Sequence, residues 1–362
     1  MSAPAPAALR PRSVEEAVEA VRSQPRLLAA GAGTKPVPAA APEGCALLDT
    51  RGLSGIIEYD PAEYTFTALA GTPLAAVAAE LARHGQHLPF DPPFGEAGAT
   101  LGGTIATGVS GPGRQRYGGV RDFILGVRFV SGAGELVRGG GKVVKNAAGF
   151  DLPKLFVGSL GRLGVLVEAS FKVFPRPRAY ATLQSSPGGL NAALAAAARL
   201  GASPFDFEAV DFDPDGTLWL RLGGEAETFA GRLEQLERFL GAAGRRLEGA
   251  GEQEFWRGRV PPAGGPAELL AKVPVTLESS PALDALLAAA GARRAYGAGG
   301  NVAWVRWPEP AERLDLLLRS RGLSALVLAG PPGRPLLGVV RGEGFRRRLK
   351  AALDPAGRFP SY

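Results

Sequence analysis

The sequence predicts an α+β protein of two domains, and three observations carry that expectation. Its 362 residues exceed what one ordinary core organises. Up to about residue 178, short apolar runs and helical patterns alternate with glycine-rich interruptions. Beyond Pro175-Arg176-Pro177 the rhythm changes, and Ala/Leu-rich helical stretches separate alternating strand patterns. A first domain is therefore placed at residues 1–178. A second, with an antiparallel sheet and helices, is placed at residues 179–362, its tail packing back on the first.

The elements follow in order. Val14, Ala17, Val18 and Val21 recur at helical spacing after Ser13, an N-cap with Glu16 three residues on. Residues 26–30 read as a short buried strand that ends in Gly31-Ala32-Gly33-Thr34. Residues 46–49 and 55–59 read as two more strands. Residues 64–70 alternate as a strand does and lead through Gly71-Thr72-Pro73 into a helix with Leu74, Val77, Ala78 and Leu81 on one face. Strands resume at residues 125–130, 135–137 and 165–173. In the second domain a helix is expected over 190–200, a strand over 217–222 and a helix over 226–240.

Composition narrows the function classes. Gly (51) and Pro (31) make up nearly a quarter of the chain, against roughly 12% in average usage, and they are dispersed, which indicates many tight turns. The net charge of +6 comes almost wholly from Arg, but the basic residues are scattered. The one dense run, Arg346-Arg347-Arg348-Leu349-Lys350, reads as a solvated helix face rather than a nucleic-acid patch. Such a balance also suits a phosphate-rich cofactor or an acidic partner subunit. Cys45 is the single cysteine, so the chain alone forms no disulfide, thiolate zinc site or Cys-ligated cluster. No secretory signal and no 18-residue apolar run is read, so cytoplasmic residence is expected.

Four clusters carry chemistry. Gly31-Ala32-Gly33-Thr34 follows a strand, where glycines let backbone N–H groups approach a phosphate, but it lacks a Rossmann fingerprint and alone is equally a tight turn. The second cluster spans Pro92-Pro93-Phe94-Gly95, Ala99-Thr100-Leu101-Gly102-Gly103-Thr104-Ile105-Ala106-Thr107-Gly108 and Gly111. Gly costs up to ~1 kcal/mol per helical position, so no packed helix is expected there and the run serves to expose backbone. The third is Gly118-Gly119-Val120-Arg121-Asp122 through Gly126. The fourth joins Lys145-Asn146-Ala147-Ala148-Gly149-Phe150-Asp151-Leu152 to Val157-Gly158-Ser159-Leu160-Gly161-Arg162-Leu163-Gly164-Val165.

In this order and spacing the clusters resemble the PCMH-type FAD-binding domain of the vanillyl-alcohol oxidase / p-cresol methylhydroxylase family. The run 144–152 with Val157-Gly158-Ser159 is most similar to the smaller flavin subunits, the E subunits, of bacterial glycolate oxidases. The resemblance is strong over residues 10–178 and weaker at Phe255-Trp256 and at residues 353–359. It implies one FAD. Gly31, Gly33 and Thr34 would form the pyrophosphate loop; Thr100, Gly102, Gly103 and Thr104 would meet the pyrophosphate and isoalloxazine edge. Gly108 and Gly111 would allow close approach, and Gly161, Gly164 and Val165 would border the ribityl and adenosine side. Some members attach flavin through a His or Cys. Here Thr34 and Lys35 follow the first loop and Cys45 reads as a small buried residue, so non-covalent FAD is expected.

The resemblance further implies a complex that oxidises a small 2-hydroxy acid, glycolate to glyoxylate. Its partners would be a large FAD-containing subunit and an iron–sulfur subunit, with the membrane reached only through them. General base work near neutral pH favours His, yet the chain has only His84 and His87, so no metal site is expected and no catalytic residue is assigned. Three readings stand: an auxiliary, electron-relaying flavin subunit, which is favoured; a self-sufficient FAD-dependent glycolate or D-lactate dehydrogenase; and a non-catalytic structural subunit. Trp219, Trp256, Trp304 and Trp307 read mostly as core, and Arg257 and Arg259 as anchors for a carboxylate or a neighbouring subunit.

Overall fold

A computed structural model describes residues 9–141, 151–262, 268–331 and 333–361. Contacts divide the chain into two units: Met1–Ser110, Gly118–Arg176 and Arg341–Tyr362 form one, Gly111–Tyr117 and Pro177–Val340 the other.

In the first unit Ser13 caps α1 (Val14–Ser23). Its Oγ accepts the Glu16 N–H at 3.2 Å and the Glu16 carboxylate accepts the Arg12 N–H at 2.7 Å, satisfying donors that a helix start leaves open. Ala17 and Val21 are buried in a core that includes Leu27 of β1 (Leu27–Ala30). A one-turn α2 (Pro36–Ala39), not expected from the sequence, follows the glycine loop; a proline in its first turn presets the backbone. β2 (Ala46–Asp49) then pairs parallel with β1. Next come β3 (Ile56–Asp60), β4 (Thr65–Leu69), α3 (Leu74–Ala82), β5 (Gln86–His87) and α4 (Leu101–Thr107). After α5 (Arg114–Tyr117), which belongs to the second unit, come α6 (Val120–Phe123), β6 (Ile124–Val130), β7 (Leu136–Gly140), α7 (Leu152–Phe156), β8 (Val165–Lys172) and β9 (Phe174–Pro175). The five long strands form an antiparallel sheet ordered β3-β4-β8-β6-β7.

α4 corrects the expectation that the run 99–108 forms no packed helix. Thr100 caps it, accepting the Gly103 N–H on Oγ1 at 3.2 Å, and Leu101 and Ile105 are fully buried. Gly102 is where the helix crosses the chain leaving β4: a Cβ there would stand 2.9 Å from both Ala70 Cβ and the Ala70 carbonyl oxygen. The propensity penalty of glycine is offset by a backbone approach that no other residue permits.

The second unit runs β10 (Ala179–Ser185), α8 (Leu190–Gly201), β11 (Ala209–Phe212), β12 (Leu218–Gly224), α9 (Phe229–Leu240), β13 (Arg245–Glu248), α10 (Gly249–Arg257), β14 (Leu269–Pro274), α11 (Ser280–Ala289), β15 (Arg293–Gly297), β16 (Val302–Trp307), α12 (Ala311–Ser320), β17 (Ser324–Ala329) and β18 (Leu336–Gly338). Its nine strands form one sheet ordered β13-β10-β12-β11-β15-β16-β14-β17-β18, with antiparallel pairings. Asp284 ties α11 to that sheet, accepting from Arg294 at 2.6 and 2.7 Å and from the Tyr296 hydroxyl at 2.6 Å. Burial, then this bond, holds the Tyr296 pKa well above its ordinary value.

The chain returns to the first unit with α13 (Glu343–Leu353), none of whose residues is buried, so the Arg346–Arg348 run lies on an open helix. Beyond it, buried Asp354 accepts from Lys350 Nζ and from the Arg358 and Phe359 N–H groups. Phe359 enters the α1 core, and the Leu27 N–H donates to the Arg358 carbonyl at 2.9 Å.

Candidate functional site

The first unit contains a cavity, partly open to solvent, with about 680 Å³ of empty space counting the open solvent at its mouth. Three segments supply most of its walls, completed by residues of β1, α2 and β8 and by Thr50 and Ala70. The loop after β1 supplies Gly31, Ala32, Gly33, Thr34 and Lys35; α4 and its cap supply Thr100, Gly102, Gly103, Ala106 and Thr107; the turn before β8 supplies Ser159, Leu160, Gly161 and Gly164.

The hydrogen bonding gives these walls different roles. At the start of α4 the backbone donors are already taken: Leu101 N–H by the Thr72 carbonyl at 2.9 Å, Gly102 N–H by the Ala70 carbonyl at 2.7 Å, Thr104 N–H by the Thr100 carbonyl at 3.0 Å. In the first loop the N–H groups from Gly31 through Thr34 meet no acceptor among the described residues. Open donors therefore gather at the first loop, while α4 presents a smooth floor of glycine, alanine and threonine. Gly31 is required locally, since a Cβ would fall 2.2 Å from Thr100 Oγ1. At Gly103 a Cβ would crowd only the cap hydroxyl Thr100 Oγ1, at 3.1 Å, which a shift of a few tenths of an ångström relieves, so the position is open chiefly toward the cavity.

Of the residues singled out from the sequence, Gly31, Gly33, Thr34, Thr100, Gly102, Gly103, Gly161 and Gly164 line the cavity. Thr104, Gly108, Gly111 and Val165 do not. Thr104 is buried in α4, its Oγ1 without a partner among the described residues. Gly108 ends α4 at φ 62°, and Val165 is buried in the α1 core. Gly111 falls in the other unit. The residues 145–150 lie outside the described residues.

Sequence reasoning missed Lys35 and Ser159 as wall residues. Lys35 is the ionisable residue of the lining, only 6% exposed, and burial lowers its pKa to about 8. A lysine directly after a glycine loop was the available signal; Ser159 gave none.

Other candidates fall elsewhere. Cys45 is buried and His84 packs edge-to-face on Tyr59; neither these nor His87 lines the cavity. Arg259, read from the sequence as an anchor for a carboxylate or a neighbouring subunit, is held within the second unit by Asp211 at 2.9 Å and Asp213 at 2.7 Å. Trp256, Trp304 and Trp307 are buried; Trp219 is partly exposed and donates to Asp213 at 2.8 Å.

Comparison with known proteins agrees with this geometry. A family model described as an FAD binding domain matches residues 5–140. Glycolate oxidase subunit GlcE of Escherichia coli is 36% identical over 315 residues, 86% of this chain and 85% of that protein. The chain belongs to the GlcE family of FAD-binding glycolate oxidase subunits. Larger relatives of the family match over about a third of their length. Glycolate oxidase subunit GlcD of Bacillus subtilis is 34% identical over 42% of this chain and 32% of its own. D-2-hydroxyglutarate dehydrogenase of Xanthomonas citri is 35% identical over 38% and 29%. A solved alkyldihydroxyacetonephosphate synthase has the same fold, with a TM-score of 0.67 and 17% identity over 96% of this chain and 74% of that one.

The cavity fits the cofactor this membership implies. Open N–H groups beside a buried ammonium suit a pyrophosphate, and a floor lacking bulky side chains suits flat rings. FAD is the cofactor of the family.

Proposed function

We propose that the chain binds one FAD non-covalently in this cavity and serves as the flavin-bearing E subunit of a glycolate oxidase complex. The observation that carries the reading is the set of open donors from Gly31 to Thr34 next to Lys35, in a chain of which 86% matches glycolate oxidase subunit GlcE. When bound, FAD supplies a two-electron acceptor; the chain's part is to hold the pyrophosphate at the first loop and seat the rings against Gly102, Gly103 and Ala106. Non-covalent binding is supported by a lining with no His or Cys.

The proposed role is electron relay within a complex that turns glycolate into glyoxylate, beside a larger flavin subunit and an iron–sulfur subunit. Among the described residues no helix is long and apolar enough to cross a membrane, so contact with the inner membrane would run through partners. Two histidines, neither in the cavity wall, leave the chain without the usual base near the flavin site.

A second reading is a self-sufficient 2-hydroxy-acid dehydrogenase, supported by the match of the first part of the chain to D-2-hydroxyglutarate dehydrogenase of Xanthomonas citri. Anaerobic addition of glycolate or D-lactate to the purified, flavin-loaded chain separates the readings. The relay role predicts an unchanged flavin spectrum without partners; bleaching would establish the dehydrogenase.

A further inference from the structure

Lys35 is a cation without a counter-charge. Its Nζ donates to Thr34 Oγ1 at 3.2 Å and lies 5.2 Å from the centroid of the Phe94 ring. No carboxylate pairs with it among the described residues. An ammonium has three donors, and one hydroxyl with a ring face leaves it short of acceptors in a place largely closed to water. Perturbed, unpaired ionisable groups in cavities mark sites where a ligand completes the charge balance.

We propose that Lys35 is the counter-cation of the FAD pyrophosphate, so that FAD binding at alkaline pH takes up one proton on this side chain. The proposal rests on reading the cavity as the FAD site. The four open N–H groups and Lys35 are consecutive in sequence and share one wall, so a diphosphate held by the first meets the second. A bare cavity wall of glycine and alanine would bind flavin rings without such a cation.

The pH dependence follows from burial. In the free protein burial alone lowers the Lys35 pKa to about 8; Asp49 on β2, Asp91 and Glu96 around Phe94, and Arg162 beyond Gly161 do not contribute. Asp49 is engaged by Arg51 and Arg10. A bound dianion favours the charged ammonium and moves its pKa back up. Between these two values the free protein has lost the proton and the FAD-bound protein has kept it, so affinity falls as pH rises. The limiting slope is about tenfold per pH unit.

The test is titration of the flavin-free full chain with FAD, and separately with ADP, from pH 7 to 9.5, with calorimetry at pH 9 in two buffers of different ionisation enthalpy. We expect the Kd of both ligands to rise about five- to tenfold between pH 7.5 and 9, with close to one proton taken up at pH 9. Lys35→Met should weaken both at pH 7 by about tenfold or more and flatten the profile. Lys35→Arg should flatten it while keeping more of the affinity, because a guanidinium does not deprotonate in this range. The flavin-free Lys35→Met protein should melt no lower than wild type at pH 7, since it loses a buried charge, which controls for folding. A Lys35→Met protein with unchanged affinity and slope would overturn the proposal. So would dependence on Lys35 for FAD but not for ADP, which would move the ammonium to the flavin ring. A wild-type chain that binds neither ligand would instead refute the FAD site itself.

Discussion

Gly103 and Gly31 look alike in the sequence and do different things. Gly31 makes room for Thr100 inside the protein, whereas the space beside Gly103 belongs to the cavity. Gly103→Val should therefore leave the flavin-free fold near its wild-type stability, because leaving glycine in a helix recovers a few tenths of a kcal/mol. The same change should raise the Kd for FAD about tenfold or more, as overpacking costs about 1–3 kcal/mol; fluorescence titration and a flavin-free melt check both. Wild-type affinity in that variant would place the rings elsewhere. At this scale the sequence showed where glycine was needed but not for whom. That distinction depends on what a Cβ would strike, and Thr100 lies 69 positions away along the chain. Lys35 is only half legible for a related reason: its place after the glycine loop shows in the sequence, but its burial, with Nζ 5.2 Å from the Phe94 ring centroid, does not.

Among the elements, α1 was legible almost to the residue because its cap and its apolar spacing are local signals. α4 was not, because its stability comes from a crossing with Ala70 that no local pattern records. Gly102→Ala places a methyl 2.9 Å from Ala70 and should destabilise the first unit by about 1–3 kcal/mol, despite alanine's better helix propensity. Denaturant unfolding tests this, and a stabilised variant would contradict the crossing. The tail beyond α13 is a second such element. Asp354 holds Lys350 and two backbone N–H groups at once. Asp354→Ala leaves the Arg358 and Phe359 N–H groups without their acceptor and removes the carboxylate from Lys350, whose ammonium keeps the Arg162 and Phe359 carbonyls, so a loss of about 2–3 kcal/mol is expected in the same assay. The sequence flagged this stretch only as a weakening resemblance, since the hydrogen bonds close over distances that composition does not reveal.

In the whole molecule, the two units differ in what they contain. The first holds the family's glycine clusters and the donor-lined cavity; the second is a nine-stranded antiparallel sheet whose ionic groups are mostly paired internally. The α+β class was readable from the alternation of patterns. The strand order β13-β10-β12-β11-β15-β16-β14-β17-β18 was not, because pairing between distant strands leaves no periodic trace. Should the chain act as a relay, its flavin is reduced by a partner and not by hydroxy acid, which the anaerobic experiment decides. The claim beneath all of this is that the cavity between the first loop, α4 and the turn before β8 holds a non-covalent FAD. The most direct measurement is the flavin content of the purified full chain after incubation with FAD, read by absorbance before and after acid precipitation. One FAD per chain, released entirely into the acid supernatant, is the predicted result. A colourless protein, or yellow colour that stays in the pellet, would contradict it.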